Sequence, residues 1–170
     1  MFQRGQAFDV FKLLIAAVVA IALLTVLLPI INNIGGIGQN RPNDVAVREL
    51  KDLVTSPSQH RLTESVVFKQ EEALNAKAIA EKTNVLSPDQ VCVSVGELSD
   101  DPNFVDKGDG TLITYTGRGS KTTKLSVMCD AGNALSEDLG SYSLDQGWVS
   151  ACSACTGGTQ TCCLVAIRKA

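Results

Sequence analysis

The sequence is poor in the residues on which most catalytic sites depend. It contains one histidine, His60, and only 5% of its residues are aromatic. Without a second histidine, neither a His-rich metal site nor a Cys/His dyad stands out, and His60 is expected at the surface. Motifs for a nucleophilic serine, a phosphate loop and a dinucleotide are also missing. We therefore expect a protein that is not an enzyme and that needs no cofactor.

Positive charge is scarce in the part of the chain that would meet a nucleic acid. From Arg41 onward there are 13 Lys and Arg residues against 17 Asp and Glu residues. A phosphate backbone requires a concentrated basic face. The mildly acidic balance therefore argues against nucleic acid as a main partner.

Charge of either sign is absent between Leu13 and Ile31, and the next charged residue is Arg41. In a helix with a rise of ~1.5 Å per residue, this run spans ~28 Å, about the thickness of the hydrocarbon core of a bilayer. A helix that is apolar on every face has no stripe with which to pack on a soluble core. The run predicts a transmembrane helix, assigned to residues 6–34, that contacts the lipid bilayer. The alternative is a buried central helix.

The flanks of the apolar run predict how the chain is oriented in the membrane. Arg4 and Lys12 precede the run, so the N-terminus is expected in the cytoplasm and the C-terminal domain outside it. The same two charges would suit a cleavable signal peptide. However, the run is longer than usual for such a peptide, and no small-x-small cleavage site follows it. A single-pass, uncleaved anchor is therefore favoured.

The segment before the apolar run carries a distinctive motif. From Phe2 to Lys12 it reads FQRGQAFDVFK, with a basic residue, a glycine, a glutamine and then an acid directly before the helix. This order resembles the class III signal peptides of archaeal type IV pilin-like proteins. In that family a prepilin peptidase cuts between the Gly and the Gln and leaves the apolar helix in place. The resemblance implies cleavage between Gly5 and Gln6, with residues 1–5 as the leader.

The resemblance also implies self-association through the N-terminal helix. The carboxylate of Asp9 could pair with the new α-amino group of a neighbouring subunit, which would offset the cost of burying either charge. Small side chains would permit close approach of helices, at Ala16, Ala17, Ala20 and Ala22. The motif departs from the family at two positions, since Phe8 stands where the family has Ser and Asp9 is one residue early. The alternative is a plain signal anchor with an accidental Arg-Gly-Gln order.

Beyond the apolar run the sequence predicts a linker and one small domain. Residues 35–43 are Gly-rich and read as a flexible linker. Residues 44–170 are predicted to form an α+β domain with two helices and a mainly antiparallel sheet. The expected helices cover residues 44–55 and 70–82, and the expected strands cover 60–68, 90–95, 111–116, 123–129 and 162–168. Residues 117–120 are expected to close a hairpin.

The six cysteines all lie beyond the apolar run, at Cys92, Cys129, Cys152, Cys155, Cys162 and Cys163. An even number of cysteines in a small exported domain favours disulfides. Adjacent residues on a strand point to opposite faces, so Cys162 and Cys163 should bond to different segments. The sequence does not decide the pairing. We expect Cys92 to pair with Cys129, and Cys152 and Cys155 to pair with Cys162 and Cys163.

Metal binding and redox chemistry are weaker interpretations of the same residues. Four cysteines with a C-x-x-C would suit zinc, but adjacent ligands give poor tetrahedral geometry. A thioredoxin-like pair would need the C-x-x-C at the start of a helix, whereas residues 150–161 read as a loop. The acidic residues between Asp100 and Asp109 would suit calcium, but their spacing is not that of an EF-hand, and an acidic surface turn is favoured.

Three functions follow from these observations, in order of preference. The first is a pilin-like surface protein that is processed by a prepilin peptidase, anchored in the cell membrane and assembled into a filament or pseudopilus. The second is a membrane-tethered extracytoplasmic binding domain that does not polymerise, which the Gly-rich linker and the displaced Asp9 favour. The third is a membrane thiol oxidoreductase.

Overall fold

The protein consists of two units, Met1–Gln39 and Asn40–Ala170, of which we call the second the head. The computed structural model describes residues 12, 14–24, 41–141, 155 and 158–170. In the first unit, residues 12 and 14–24 are helical. The predicted transmembrane range, 6–34, extends beyond the described residues at both ends.

The described part of the head has a mixed α+β architecture. Its helices are α1 (Pro42–Val54), α2 (Ala76–Thr83) and α3 (Gly132–Ser141). Its strands are β1 (Gln59–Leu62), β2 (Val66–Lys69), β3 (Ala73–Asn75), β4 (Val91–Ser94), β5 (Phe104–Asp106), β6 (Leu112–Tyr115), β7 (Ser120–Ala131) and β8 (Thr161–Lys169).

The larger sheet is organised around the long strand β7. One edge of β7 pairs antiparallel with β8, and its other edge pairs antiparallel with β1 and then with β2. Strand β4 joins the far side of β8 in parallel. A second sheet has the order β3-β6-β5, also antiparallel. The predicted α+β class and the mainly antiparallel pairing are confirmed.

A bulge separates β1 from β2, where the sequence predicted one continuous strand. Leu62 pairs with Ser126 and Val66 pairs with Thr123. The three residues 63–65 therefore lie opposite only two residues of β7, 124 and 125. Thr63 fills the gap, because its N–H donates to the carbonyl of Leu125 and its hydroxyl accepts from the N–H of Leu125, both at 2.8 Å. The extra residue reverses which side chains face inward.

Alternation along β7 and β8 gives the larger sheet two buried faces. We call one of these the first face; helices α1 and α2 cover it. Its buried side chains include Leu125, Val127, Cys129, Cys163, Val165 and Ile167. The second face packs against α3, and its cluster includes Cys92, Met128, Cys162, Leu164 and Ala166. An aromatic cluster of Phe68, Phe104 and Tyr115 extends the first core toward the smaller sheet, with ring centroids 5.1–6.5 Å apart.

Two predicted elements of the head are wrong. The helix expected over 70–82 begins only at Ala76, because the three residues of β3 before it pair with β6 and the Asn75 side chain caps the helix by accepting from the N–H of Ala78. The hairpin expected at 117–120 does not form, because β6 and β7 belong to different sheets. Helix α3 was not predicted, because its Gly- and Ser-containing sequence has weak helix propensity.

Asn43 connects the start of the head to the smaller sheet through two hydrogen bonds of its side chain. This residue lies in the first turn of α1, just before the predicted helix start at residue 44. Its side-chain oxygen accepts from the N–H of Asn75 and its amide donates to the carbonyl of Ala73, both at 2.9 Å. A side-chain amide here pairs with the outer edge of β3 as a neighbouring strand would. A salt bridge of 2.7 Å between Asp44 and Lys82 lies beside it.

We predict that Asn43→Ala destabilises the head by about 1–3 kcal/mol, because it leaves two partly buried backbone groups without partners. The free energy of unfolding from denaturant titration measures this. Asn133→Ala is the matched control, since that side chain is exposed. Equal effects of the two substitutions would contradict the role given to Asn43.

Candidate functional site

The N-terminal helix presents apolar side chains in every direction. All of residues 14–24 are exposed, and the exposed fractions of the large apolar side chains range from 48% for Ile15 to 62% for Ile21. The large apolar side chains are Leu14, Ile15, Val18, Val19, Ile21, Leu23 and Leu24. Such a surface has no polar side with which to face water. Within the described residues, no helix is both long enough and apolar enough to span a bilayer.

The residues predicted for processing and assembly cannot be placed. Gly5, Gln6 and Asp9 lie outside the described residues, so cleavage between Gly5 and Gln6 and the pairing of Asp9 stay predictions. Among the small residues of the helix, Ala16, Ala17, Ala20 and Ala22 are all exposed.

Strand β8 is cross-linked on both of its faces, through the adjacent Cys162 and Cys163. Cys163 bonds to Cys129 on the first face, and Cys162 bonds to Cys155 on the second. The prediction that these two adjacent cysteines bond to different segments is confirmed. Their side chains point to opposite faces because side chains alternate along a strand. The expected pairing of Cys92 with Cys129 is wrong, and so is the expected bond of Cys163 to Cys152 or Cys155. The bond between Cys155 and Cys162 agrees with the expectation.

The register of the sheet explains why Cys129 pairs with Cys163. The two residues are directly opposed in the β7–β8 ladder, with Cα atoms 4.1 Å apart. Cys92 points to the second face, whereas Cys129 points to the first. Cys92 is disulfide-bonded as well, to a partner outside the described residues. Cys152 also lies outside them.

The chain before β8, which includes Cys155 of the second bridge, lies against the start of α3. The carbonyl of Gln160 accepts from the N–H of Gly132 at 3.0 Å. The carbonyl of Gly158 accepts from the N–H of Asn133 at 2.9 Å. A β-carbon on Gly132 would collide with the carbonyl oxygen of Cys155. Glycine is therefore required at this close approach of two backbones.

The described cysteines are used for cross-linking. Cys92, Cys129, Cys155, Cys162 and Cys163 are all in disulfides and are at most 5% exposed. A thiolate is the species that binds zinc or attacks a disulfide, and none is available at these positions. The arrangement therefore stabilises the head.

The acidic segment around 100–109 is built from turns. The Oδ1 atom of Asp101 accepts from the backbone and side-chain amides of Asn103 at 3.0 and 2.8 Å. Its Oδ2 pairs with Lys121 at 3.2 Å. The hydrogen bonds from Asn103 are the main reason why the pKa of Asp101 is lowered.

Two further aspartates of this segment also stabilise turns, by accepting hydrogen bonds from the residue two positions later. Asp106 accepts from the N–H of Gly108 at 2.8 Å. Asp109 accepts from the hydroxyl and N–H of Thr111, and the hydroxyl contributes most to lowering its pKa. No cluster of three or more His, Cys, Asp or Glu side chains suited to a metal occurs in the described part of the chain.

The sequence predicted that His60 lies at the surface, but the structure shows that it is half-buried. Its Nε2 lies 2.7 Å from the Oγ of Ser126 on the second face. Ser126 is only 1% exposed, so a substrate could not reach its hydroxyl. The contact therefore serves packing rather than nucleophilic catalysis. Burial, with a smaller effect of the Arg168 charge, lowers the pKa of His60.

One polar residue of this region was not anticipated from the sequence. Asp130 is only 7% exposed on β7. Its sequence signal is an acid two residues after the buried Met128, at an inward position of the second face.

Comparison with known proteins leaves the chain without an assigned family. No family model matches it, and no curated protein or solved structure is significantly similar to it. Its function is therefore inferred from its own residues.

We predict that the two described disulfides differ in their contribution to stability. Replacing both Cys129 and Cys163 by Ala should cost about 4 kcal/mol of unfolding free energy, and replacing both Cys155 and Cys162 about 2 kcal/mol. The difference arises because their sequence separations are 34 and 7. Denaturant titration of the two double variants, each the control for the other, measures it. A larger loss for the second pair would refute the ordering.

We also predict a loss of stability as the pH falls through about 6.5. The folded state lowers the pKa of His60, so the unfolded chain binds this proton more readily and acid favours unfolding. The melting temperature should fall between about pH 7 and 5, and by less in His60→Gln. His60 is the only histidine, so the variant isolates it. Identical pH profiles would contradict this.

Proposed function

We propose that this chain is a pilin-like surface protein. A prepilin peptidase cuts it between Gly5 and Gln6, the N-terminal helix stays in the cell membrane, and the head lies outside. Copies then assemble through their helices into a filament or pseudopilus. The observation that carries the proposal is the helix at residues 14–24, whose apolar side chains are exposed on every side.

The exposed apolar surface is costly unless something covers it. Burying a large aliphatic side chain is worth about 1.5–3 kcal/mol, so the seven in this helix represent on the order of 10 kcal/mol. Lipid chains or helices of other copies supply the required environment, because both are as apolar as the helix itself. A bilayer is therefore the first partner, and a second copy of the helix is the next.

The disulfides support a location outside the cytoplasm. Bridges such as Cys129–Cys163 and Cys155–Cys162 form and persist in oxidising compartments. This agrees with the orientation expected from Arg4 and Lys12, which places the head on the outer side.

A second candidate is a membrane-tethered extracytoplasmic binding domain that does not polymerise. The Gly-rich residues 35–43 favour it, because a flexible linker would uncouple the head from a rigid helical core. The position of Asp9, one residue early, also favours it.

The mass of the protein from native membranes tests the processing step. We expect a mature chain that begins at Gln6. Gly5→Val should retain the leader, because the resemblance places the cut directly after Gly5, whereas the control Gln3→Ala should be processed normally. A chain that begins at Met1 would overturn the pilin-like proposal and favour the tethered domain. A chain that begins after residue 31 would mean an ordinary signal peptide.

Shearing of intact cells separates the two candidates. A filament subunit should appear in the sheared supernatant as a high-molecular-mass assembly. A tethered domain should stay entirely with the membranes. Processed protein that is never released in assembled form would therefore favour the second candidate.

A further inference from the structure

Basic side chains gather at one end of the larger sheet. Strand β2 ends at Lys69, β7 begins at Ser120 and β8 ends at Lys169. The register brings these strand ends together, because Lys69 pairs with Ser120 and Thr123 pairs with Lys169. We call this end of the sheet the basic end. It carries nearly half of the 13 Lys and Arg residues of the head, namely Lys69, Arg118, Lys121, Lys124, Arg168 and Lys169.

Two of these cations face each other across the β7–β8 ladder. Lys124 is directly opposite Arg168, so the two side chains project from the same face of the sheet. Like charges in directly opposed positions destabilise a sheet. Glu97 offsets one of them through a salt bridge of 2.9 Å to Arg168. Lys124 takes part in none of the ion pairs that the described residues form. An anion from outside the head would remove the remaining repulsion.

The acids near the basic end are too few to neutralise it. Lys121 pairs with Asp101 at 3.2 Å, and Glu71 and Glu72 lie in the turn after β2. With Glu97 these acids are still outnumbered by the cations of the basic end. The head as a whole has the opposite balance, with 13 Lys and Arg residues against 17 Asp and Glu residues. Positive charge is therefore concentrated at one end of an acidic domain.

The chain enters the head beside the basic end. Helix α1 begins at Pro42, and the Asn43 side chain bonds to Ala73, which directly follows the turn closed by Lys69 and Glu72. The predicted transmembrane helix ends at residue 34, and a fully extended chain from there to residue 41 spans at most ~25 Å. In an anchored protein the basic end is therefore held near the bilayer surface.

We propose that the basic end docks on anionic phosphate headgroups of the bilayer that holds the N-terminal helix. The inference rests on the anchoring step of the proposed function and names the lipid class that the head contacts. Each Lys or Arg near an anionic lipid surface strengthens binding about fivefold. The short tether keeps headgroups at high local concentration around the basic end, so contacts too weak to hold a free domain become occupied.

The test compares the full chain in vesicles of neutral phosphatidylcholine and in vesicles that also contain about 30% anionic phosphatidylglycerol. A membrane-impermeant reagent acetylates exposed lysines, and mass spectrometry measures the rate at each one. The lysines of the basic end should react at least about threefold more slowly in anionic vesicles. Lys51, exposed in the last turn of α1, is the internal control and should react equally in both. NaCl at about 1 M should remove the difference, because the Debye length falls to about 3 Å.

Two double variants with the same change of charge test whether the basic end itself is responsible. Lys124→Glu combined with Lys169→Glu should remove most of the slowing at Lys69. Lys51→Glu combined with Lys77→Glu changes two exposed helix positions away from the basic end and should keep it. Equal effects of the two double variants would overturn the proposal.

The remaining outcomes separate docking from anchoring. Equal acetylation of the wild type in both kinds of vesicle would overturn the docking proposal. Slowing that already occurs in neutral vesicles and grows with the protein-to-lipid ratio would assign the basic end to a second copy and would also overturn it. Flotation of the chain with neutral vesicles tests anchoring alone. A chain that floats but shows no lipid-dependent slowing is anchored without docking, whereas a chain that does not float would overturn both proposals.

Discussion

The ladder between β7 and β8 is the interaction on which the rest of the head depends. It joins residues 123–131 to residues 161–169 without a break, and every other strand of the larger sheet attaches to one of these two. The Cys129–Cys163 disulfide joins an opposed pair of the two strands, so β8 can neither slide along β7 nor separate from it while this bond is intact. A one-residue slip would exchange the two faces and place each cysteine on the wrong side.

The two faces of this ladder have different roles. The first face carries the main core under α1 and α2 and is almost entirely apolar. The second face is covered by the short helix α3 and carries buried polar groups, among them Ser126 and Asp130. Buried polar groups need partners, so the second face is where a change of protonation can most strongly affect stability. The apolar N-terminal helix belongs to a separate unit of the chain, and we propose that the bilayer or other copies cover it.

Much of the head could be predicted from local patterns. Strands β4, β6, β7 and β8 lie close to their expected positions, because runs of β-branched residues and turn signals are local properties. The start of α2, the extra helix α3 and the bulge at Thr63 were not predictable in the same way. Each depends on pairing with a distant segment: β3 with β6, α3 with the chain at 158–160, and Thr63 with Leu125.

The sequence by itself determined the apolar run, the Arg-Gly-Gln order before it and the rule that Cys162 and Cys163 need different partners, because these follow from residue order and from the two-residue period of a strand. Only the tertiary structure decided that Cys129 is the partner of Cys163 and that Asp130 is buried. Both facts require the register between β7 and β8, and register is set by the packing of whole faces rather than by the residues at either position.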